Sequence, residues 1–408
     1  MLDRFYKFFT SVSLAVVLLA LGLLIVFFGT LAQGFFGLYI TQARYFQTMF
    51  IDLQAMYVGF HKFVDMISQG FGYPLAPLEM NTVLSVPRIP ILPGGYLVGG
   101  LLVINLFAAH LRYYRPGFKR LGIAMLHLGV VLLLLGQFAT DMLSNESHMR
   151  IREGASSNYS ESDGHWELVI IDASNPEKDK VVAISASRLA KGGEITHPEL
   201  PFKLRAKSYY ANSELATKAG PGLEPVQADS SAGMPIWWRE LPLETRMNAR
   251  SIPSGVVEVI DPQGTARPIL VSGYLAQPQL LAGGSDIKLL LRPERYYKPF
   301  RLHLIDFRFD RYPGTQIPKN FSSRVRVERP DTGESREVTI RMNEPLRYEG
   351  ETFFQASYDE ADEKGTVLQV VDNPSWLTPY LACVLVAVGM TYQFLLHLIG
   401  FAAKRKTA

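Results

Sequence analysis

Residues 121–140 read LGIAMLHLGVVLLLLGQFAT. The run contains no Asp, Glu, Lys or Arg, and one histidine, His127, sits in its first third. A hydrocarbon layer of about 30 Å requires roughly 20 helical residues, and this run supplies them. Backbone groups facing lipid must be satisfied within the segment itself, so the run is predicted to be a membrane helix.

Working outward, residues 8–43, 89–111 and 373–403 are equally free of charge. Each is long enough to span. The 41 Lys and Arg and the 38 Asp and Glu of this 408-residue chain all fall outside the four runs. The remainder is charged at close to the ordinary globular level of about 25%. With 48% hydrophobic residues and a mean hydropathy of +0.09, the chain reads as a soluble domain joined to membrane spans, and a purely cytosolic enzyme is excluded. The first run, SVSLAVVLLALGLLIVFFGTLAQ, has an apolar stretch too long for a cleaved signal peptide and no small-x-small cleavage site, so it is read as a retained helix.

Short flanks rich in Lys and Arg mark the cytoplasmic side. Arg4 and Lys7 precede the first span; Arg112, Arg115, Lys119 and Arg120 lie between the second and third; Lys404, Arg405 and Lys406 follow the fourth. All three flanks agree, placing both termini and the 112–120 loop in the cytoplasm. The net charge of +3 largely reflects these flanks, and no basic patch with interleaved aromatics points to nucleic acid. The expected fold is a membrane protein with four transmembrane α-helices plus a large mainly-β, sandwich- or barrel-like extracytoplasmic domain. Its expected boundaries are 1–33 for the N-terminus and first span, 34–93 for an outer segment with an amphipathic helix, 94–143 for spans two and three, 144–376 for the β domain, and 377–408 for the fourth span and tail.

In the outer segment Phe46, Met49, Phe50, Leu53, Met56, Tyr57 and Phe60 recur at helical spacing, and the Pro-rich run from Pro74 to Pro93 breaks any helix before the second span. In the large segment short alternating runs such as HWELVIID, GVVEVID, FRLHLIDFRFD and TVLQVVD predict strands. SRVRVERPDTGESREVTIRM predicts a hairpin turning at 331–334. Residues 211–250, with Trp237 and Trp238 among Gly, Pro and Ser, are expected to form a long loop or insertion.

The single cysteine, Cys383, lies in the last span, so the β domain has no disulfide and no C-x-x-C. It offers His148, His165, His197 and His303 without metal-ligand spacing, and it has no nucleophile elbow or phosphate loop. The spans carry more chemistry, because an ionisable residue inside a bilayer is costly. His110 sits at the cytoplasmic interface. His127 lies seven residues past Arg120, and His397 seven before Lys404, each about 10 Å deep. Neutral imidazole suits haem iron because it donates a nitrogen lone pair without burying a charge. A hydrogen bond between helices explains the same residues equally well on composition alone.

The order and wording of these elements resemble the ResB/CcsB family, the partner in system II (CcsBA, ResBC) cytochrome c maturation. The resemblance is carried by residues 11–33 ending in GTLAQ, QARYFQTMF at 42–50, residues 92–142, HMRIREGASSNYSES at 148–162, FRLHLIDFRFDRYPGTQIPKNFSSRVRV at 300–327, MNEPLRYEGETFFQASYD at 342–359 and VVDNPSWLTPYLACVLVAVGM at 370–390. It implies a bacterial cytoplasmic (inner) membrane subunit that, with a CcsA/ResC-type protein, transports haem b and supports its covalent attachment to apocytochrome c. Such a subunit belongs to a holocytochrome c synthase complex and is itself non-catalytic, since the thioethers form between substrate thiols and haem vinyl groups. In family members with fused CcsB and CcsA, a histidine of the third span is one axial haem ligand, the other coming from CcsA, and His127 matches that position. His397 has no mapped role and remains a secondary candidate by depth. The family's tryptophan-rich motif belongs to CcsA, and IWWRE at 236–240 lacks its context. The alternative function is a membrane-anchored scaffold whose β domain docks partners and binds no cofactor.

Overall fold

The computed structural model describes residues 2–113, 117–230, 233–244, 250–281, 286–314, 318–359 and 364–406. They form two compact units. One gathers Met1–Ser144 and Asn373–Ala408; the other comprises Asn145–Glu244 and Ala249–Asp372.

The first unit is helical. Its spans are Val12–Phe36, Gly95–Tyr113, Leu121–Leu143 and Thr378–Lys406, and four helices are long and apolar enough to cross a membrane. A short helix, Leu2–Phe9, precedes the first span. Breaking a helix orphans carbonyls, which are expensive to leave bare in apolar surroundings. Here the second span supplies the donors: buried Asn105 gives its Nδ2 to the carbonyls of Phe9 (2.8 Å) and Ser11 (3.0 Å). Seven residues on, Arg112 donates to Thr10 Oγ1 at 2.5 Å.

The third and fourth spans are joined through glycine. Gly122, Gly129 and Gly136 recur every seventh residue and all are buried. A Cβ at Gly122 would sit 2.6 Å from the Gly389 carbonyl oxygen; at Gly129, 2.6 Å from Val386 Cγ2; at Gly136, 2.5 Å from Thr378 Cγ2. The two backbones therefore touch, and such close approach is what drives helix association when lipid removes the hydrophobic contrast.

Between the first two spans the sequence periodicity suggested a helix from Phe46. The structure starts it later, at Leu53–Gly70, because Phe50–Asp52 is a strand paired with Pro90–Pro93. Asp52 fixes the boundary. Its carboxylate accepts from the Ala55 N–H at 2.7 Å, as an N-cap should, and from Arg44 at 2.6 Å.

The second unit is β, as expected. A ten-stranded sheet runs in the order 334–341, 318–329, 287–311, 156–172, 145–152, 365–372, 351–358, 346–348, with 180–185 paired to 156–172 and 279–280 to 287–311. The hairpin expected at 331–334 is present, with Arg329 opposite Glu334. The sheet curls until its ends approach: Tyr348 donates to Glu334 at 2.6 Å and Arg329 to Glu349 at 2.5 Å. Inside the curl Ser323 donates to Gln355 Oε1 at 2.6 Å, and Gln355 to Thr366 at 2.9 Å, so the buried polar groups satisfy one another.

Ile287–Arg311, 25 residues long, serves two cores. Leu289 and Leu291 pack with Leu168, Ile170 and a second sheet ordered 266–272, 254–260, 203–210, 193–195. Phe300, Leu302 and Leu304 pack with Val325, Phe353 and Leu368. Between them the register slips beside Pro293 and again between Tyr297 and Leu302. A proline cannot donate to the ladder, and the register changes directly after Pro293.

Two expectations need correction. Residues 211–250 are not simply a loop: Ser213–Ala216, Glu224–Pro225 and Trp237–Glu240 form a three-stranded sheet, and Trp238, 6% exposed, packs with Ile236, Val256 and Leu270. Strand 145–152 and the first half of 156–172 also lay outside the sequence expectation. Their inward positions include Ser147, Ser160 and Ser162, which lack an apolar signature yet are buried, with Ser147 bonded to Ser160 at 2.8 Å.

Two measurements test this packing. Phe353→Ala, at a fully buried site, is expected to destabilise the protein by about 3–5 kcal/mol in chemical denaturation; a change under 1 kcal/mol would contradict the second core. Gly129→Leu should lower the detergent melting temperature through overpacking of about 1–3 kcal/mol. Gly400→Leu, where a Cβ meets nothing within 4 Å, should leave it unchanged.

Candidate functional site: a histidine pair on two apolar helices

The second and third spans each spend one stripe on another partner. Val98, Asn105 and Arg112, seven apart, share one face of the second span, and Asn105 and Arg112 bond the N-terminal helix break; Gly122, Gly129 and Gly136 of the third face the fourth span. With about 100° of turn per residue, His110 and His127 lie roughly 120–180° away from these stripes. They therefore meet in the seam between the second and third spans. Their ring centroids are 5.7 Å apart, edge to face at 78°. At the far end of the seam Tyr96 packs on Phe138 at 5.8 Å and its hydroxyl lies 3.3 Å from Asp141 Oδ2.

His127 is half-buried, and its Nδ1 is buried without a hydrogen-bond partner among the described residues. In a neutral imidazole one of the two ring nitrogens carries a lone pair, so the His127 side chain can donate an electron pair to a metal. This property fits haem iron, which brings its own four equatorial nitrogens and asks the protein only for axial ones.

The sequence missed the pairing, having treated His110 as an interface residue. A signal was present. His110 precedes the end of its helix at Tyr113 by three residues and His127 follows the start of its helix at Leu121 by six, so an antiparallel hairpin brings them to similar depth. His61, on the helix Leu53–Gly70, was also overlooked. Its Nδ1 too is buried without a partner among the described residues, one turn after Tyr57, whose ring is 6.2 Å away.

His397 is not gathered into this pair's ring contact. It is exposed, with Nε2 3.1 Å from Gln393 Nε2 one turn earlier. In the loop after the second span, Arg115 lies outside the described residues, Arg120 reaches the Tyr113 carbonyl at 3.4 Å, and Arg112 lies over the rings of Tyr6 and Tyr113. Tyr392 of the fourth span donates to the Phe118 carbonyl at 3.0 Å, tying that helix to the loop.

The β unit's histidines are occupied locally. His165 lies 3.3 Å from Ser162 Oγ, His303 Nδ1 3.0 Å from Ser156 Oγ, and His197 Nδ1 accepts from the Glu199 N–H at 3.3 Å. His148 Nδ1 is 2.7 Å from Asp163 Oδ2, and Arg250 pairs with the same carboxylate. Among the described residues no group of three or more His, Cys, Asp or Glu is placed to hold a metal ion. Burial alone would raise the Asp163 pKa, but His148 and Arg250 outweigh it and hold the carboxyl below its ordinary value. A depressed folded pKa contributes stability that is present above the unfolded value of about 3.9 and is lost as pH falls through the folded one. Asp163→Asn is therefore expected to flatten the acid limb of a stability–pH curve below about pH 4. Identical limbs in both proteins would show the cluster to be without energetic effect.

Comparison with known proteins agrees with the resemblance. Over 304 residues the chain is 28% identical to Protein NrfI of Wolinella succinogenes, which covers 72% of this chain and 29% of that protein. The chain thus spans less than a third of the relative's length. The model of the ResB-like family matches residues 284–375, which run from just before the long strand, through the second core, to the approach to the fourth span. Over those residues the chain is similar to the ResB-like family.

Proposed function

We propose that the chain serves cytochrome c biogenesis as a membrane subunit that handles haem. With a CcsA/ResC-type partner in a bacterial inner membrane, it carries haem b from the cytoplasmic to the outer side and supports attachment to apocytochrome c. Both termini face the cytoplasm and the β unit faces outward. The ResB-like match supports the biogenesis role. The observation that carries the haem assignment is His127: a histidine in the uncharged run 121–140, at the family-matched position, with a buried nitrogen that has no hydrogen-bond partner among the described residues.

The chain's own part is to bind and orient. Haem is a flat apolar ring with two propionates, so apolar helix faces suit the macrocycle while Lys and Arg at the mouth suit the carboxylates. Arg112 at the end of the second span and Lys119 and Arg120 in the loop that follows it are the residues assigned to that mouth. Nothing in the β unit is assigned to proton transfer. Its role is to hold apocytochrome near the partner, by strand addition at a sheet edge.

Absorption spectroscopy of the detergent-purified chain with its CcsA-type partner tests this reading. The Soret band is expected to be lost in His127→Ala and restored by added imidazole. A His127→Ala complex with full haem and normal cytochrome c maturation would sink the ligand assignment.

A further inference from the structure

The first span is longer than the layer it crosses, and another helix packs on its far part. Val12–Phe36 has 25 residues, about 37 Å of helix against about 30 Å of hydrocarbon. Thr10, just ahead of it, is bonded by Arg112 at the basic flank, so the excess of about 7 Å falls at the other end. Phe28 precedes Phe36 by eight residues, about 12 Å, and so stands at least about 5 Å inside the apolar layer. The helix Leu53–Gly70 meets the span at that level. A Cβ at Gly59 would lie 3.1 Å from the Phe28 carbonyl oxygen, the Phe63 ring is 5.4 Å from that of Phe27, and Tyr45, packed beside Gly29, donates to the Ala55 carbonyl at 2.5 Å. Ala55 to Phe63 covers about 12 Å of one helix while Phe27 to Gly29 covers about 3 Å of the other. The helix therefore lies across the span, along the plane of the layer.

Its faces are the reverse of those of a helix in water. Gln54, Ala55, Val58 and Gly59 are buried against the protein. The opposite stripe runs through Leu53, Met56, Phe60, Phe63, Val64 and Ile67, without a charge, and Phe60 and Ile67 are exposed. After Gly70 the chain folds back along the helix: the Leu75 N–H donates to Asp65 at 3.1 Å, and Gln54 donates to the carbonyls of Val83 and Val86 at 2.8 and 3.3 Å. From 66 to 93 the charged residues are Glu79 and Arg88 alone, yet Phe71 and Tyr73 are each 77% exposed, and Leu84 and Ile89 are exposed as well. Apolar surface on this scale marks a contact with something other than water. Pro74, Pro77, Pro87, Pro90 and Pro93 have no N–H, which leaves this irregular backbone fewer donors to satisfy beside lipid.

We infer that the helix Leu53–Gly70 and its proline-rich return, 71–93, form a fifth membrane element, lying in the interface of the leaflet remote from the 112–120 loop with its apolar stripe among the acyl chains. Its partner is the lipid surface. The depth of Phe28 selects lipid over protein, because a protein covering the stripe would have to reach below the headgroups. An interfacial helix of this kind is held by the apolar area it buries, while Lys62, Asp65 and Gln69, on the other side of the helix, stay with water. The inference rests on the four apolar helices being spans and is independent of the haem assignment.

Spin-label accessibility of the full-length chain in phospholipid nanodiscs tests it. Cys383→Ser removes the single thiol, and labels are then placed through Phe60→Cys, Ile67→Cys and Phe71→Cys, all at exposed positions. Asp331→Cys, in the exposed turn of the β hairpin, is the reference for water. The three labels are expected to collide freely with oxygen, which concentrates in hydrocarbon, and several-fold less often than the reference with a water-soluble nickel chelate. Nickel access equal to the reference at all three would overturn the inference by placing the segment in water. Low access to both reagents would overturn the choice of lipid, because a protein surface, a second copy of the chain included, would then cover the stripe. Nickel access at Phe71→Cys alone would overturn the placement of the proline-rich return.

Discussion

Backbone contact between the third and fourth spans sets the terms for the rest of the helical unit. Three glycines at seven-residue intervals let the two helices approach until a single Cβ would collide with the opposite backbone or side chain. An interface this tight uses one face of the third span completely. Whatever polar chemistry that helix carries must then appear on its other side, where His127 stands. The second span obeys the same logic with different residues. Its seven-residue stripe of Val98, Asn105 and Arg112 is committed to the first two helices, and His110 is left on the far side. Two helices, each anchored away from the other, thereby turn their histidines into one seam.

The β unit solves a different problem. A strand of 25 residues is long enough to serve two cores, and its proline-linked change of register lets one segment of chain serve both. The curled sheet encloses Ser323, Gln355 and Thr366, which form a closed set of hydrogen bonds. Buried polar groups stabilise only when every member is paired, and here they also tie strands from opposite sides of the curl.

Much of this was legible from composition and periodicity. The four spans follow from the absence of charge, and the Asp331–Glu334 hairpin follows from alternation broken by a Thr-Gly turn. Strand 145–152 was hidden because its inward residues include Ser147, and inward-facing serine carries no apolar pattern. The helix boundary at Leu53 was hidden because Asp52 is held by Arg44 as well as by the cap, which no window of periodicity records. In the site, His127 could be read from its depth in an uncharged run. The depth of His110 was legible in the same way from the antiparallel hairpin, but its facing His127 depends on which face each helix gives away, and the glycine and Asn–Arg stripes show that only once their partners are placed.

The β unit enters and leaves the chain at one place. Its first and last strands, 145–152 and 365–372, are hydrogen-bonded neighbours with Asn145 opposite Asp372. In the helical unit the matching ends are also held together: Thr140 and Ser375 hydroxyls are 2.8 Å apart, and Asn373 reaches Thr140 at 3.3 Å. Some 230 residues are thus inserted between two helices through a doorway about one strand pair, roughly 5 Å, wide. Loops and strands distant from that doorway can lengthen, shorten or be exchanged without prising the glycine-packed helices apart. The architecture lets the β unit vary in length and sequence while the packing of the apolar helices stays the same.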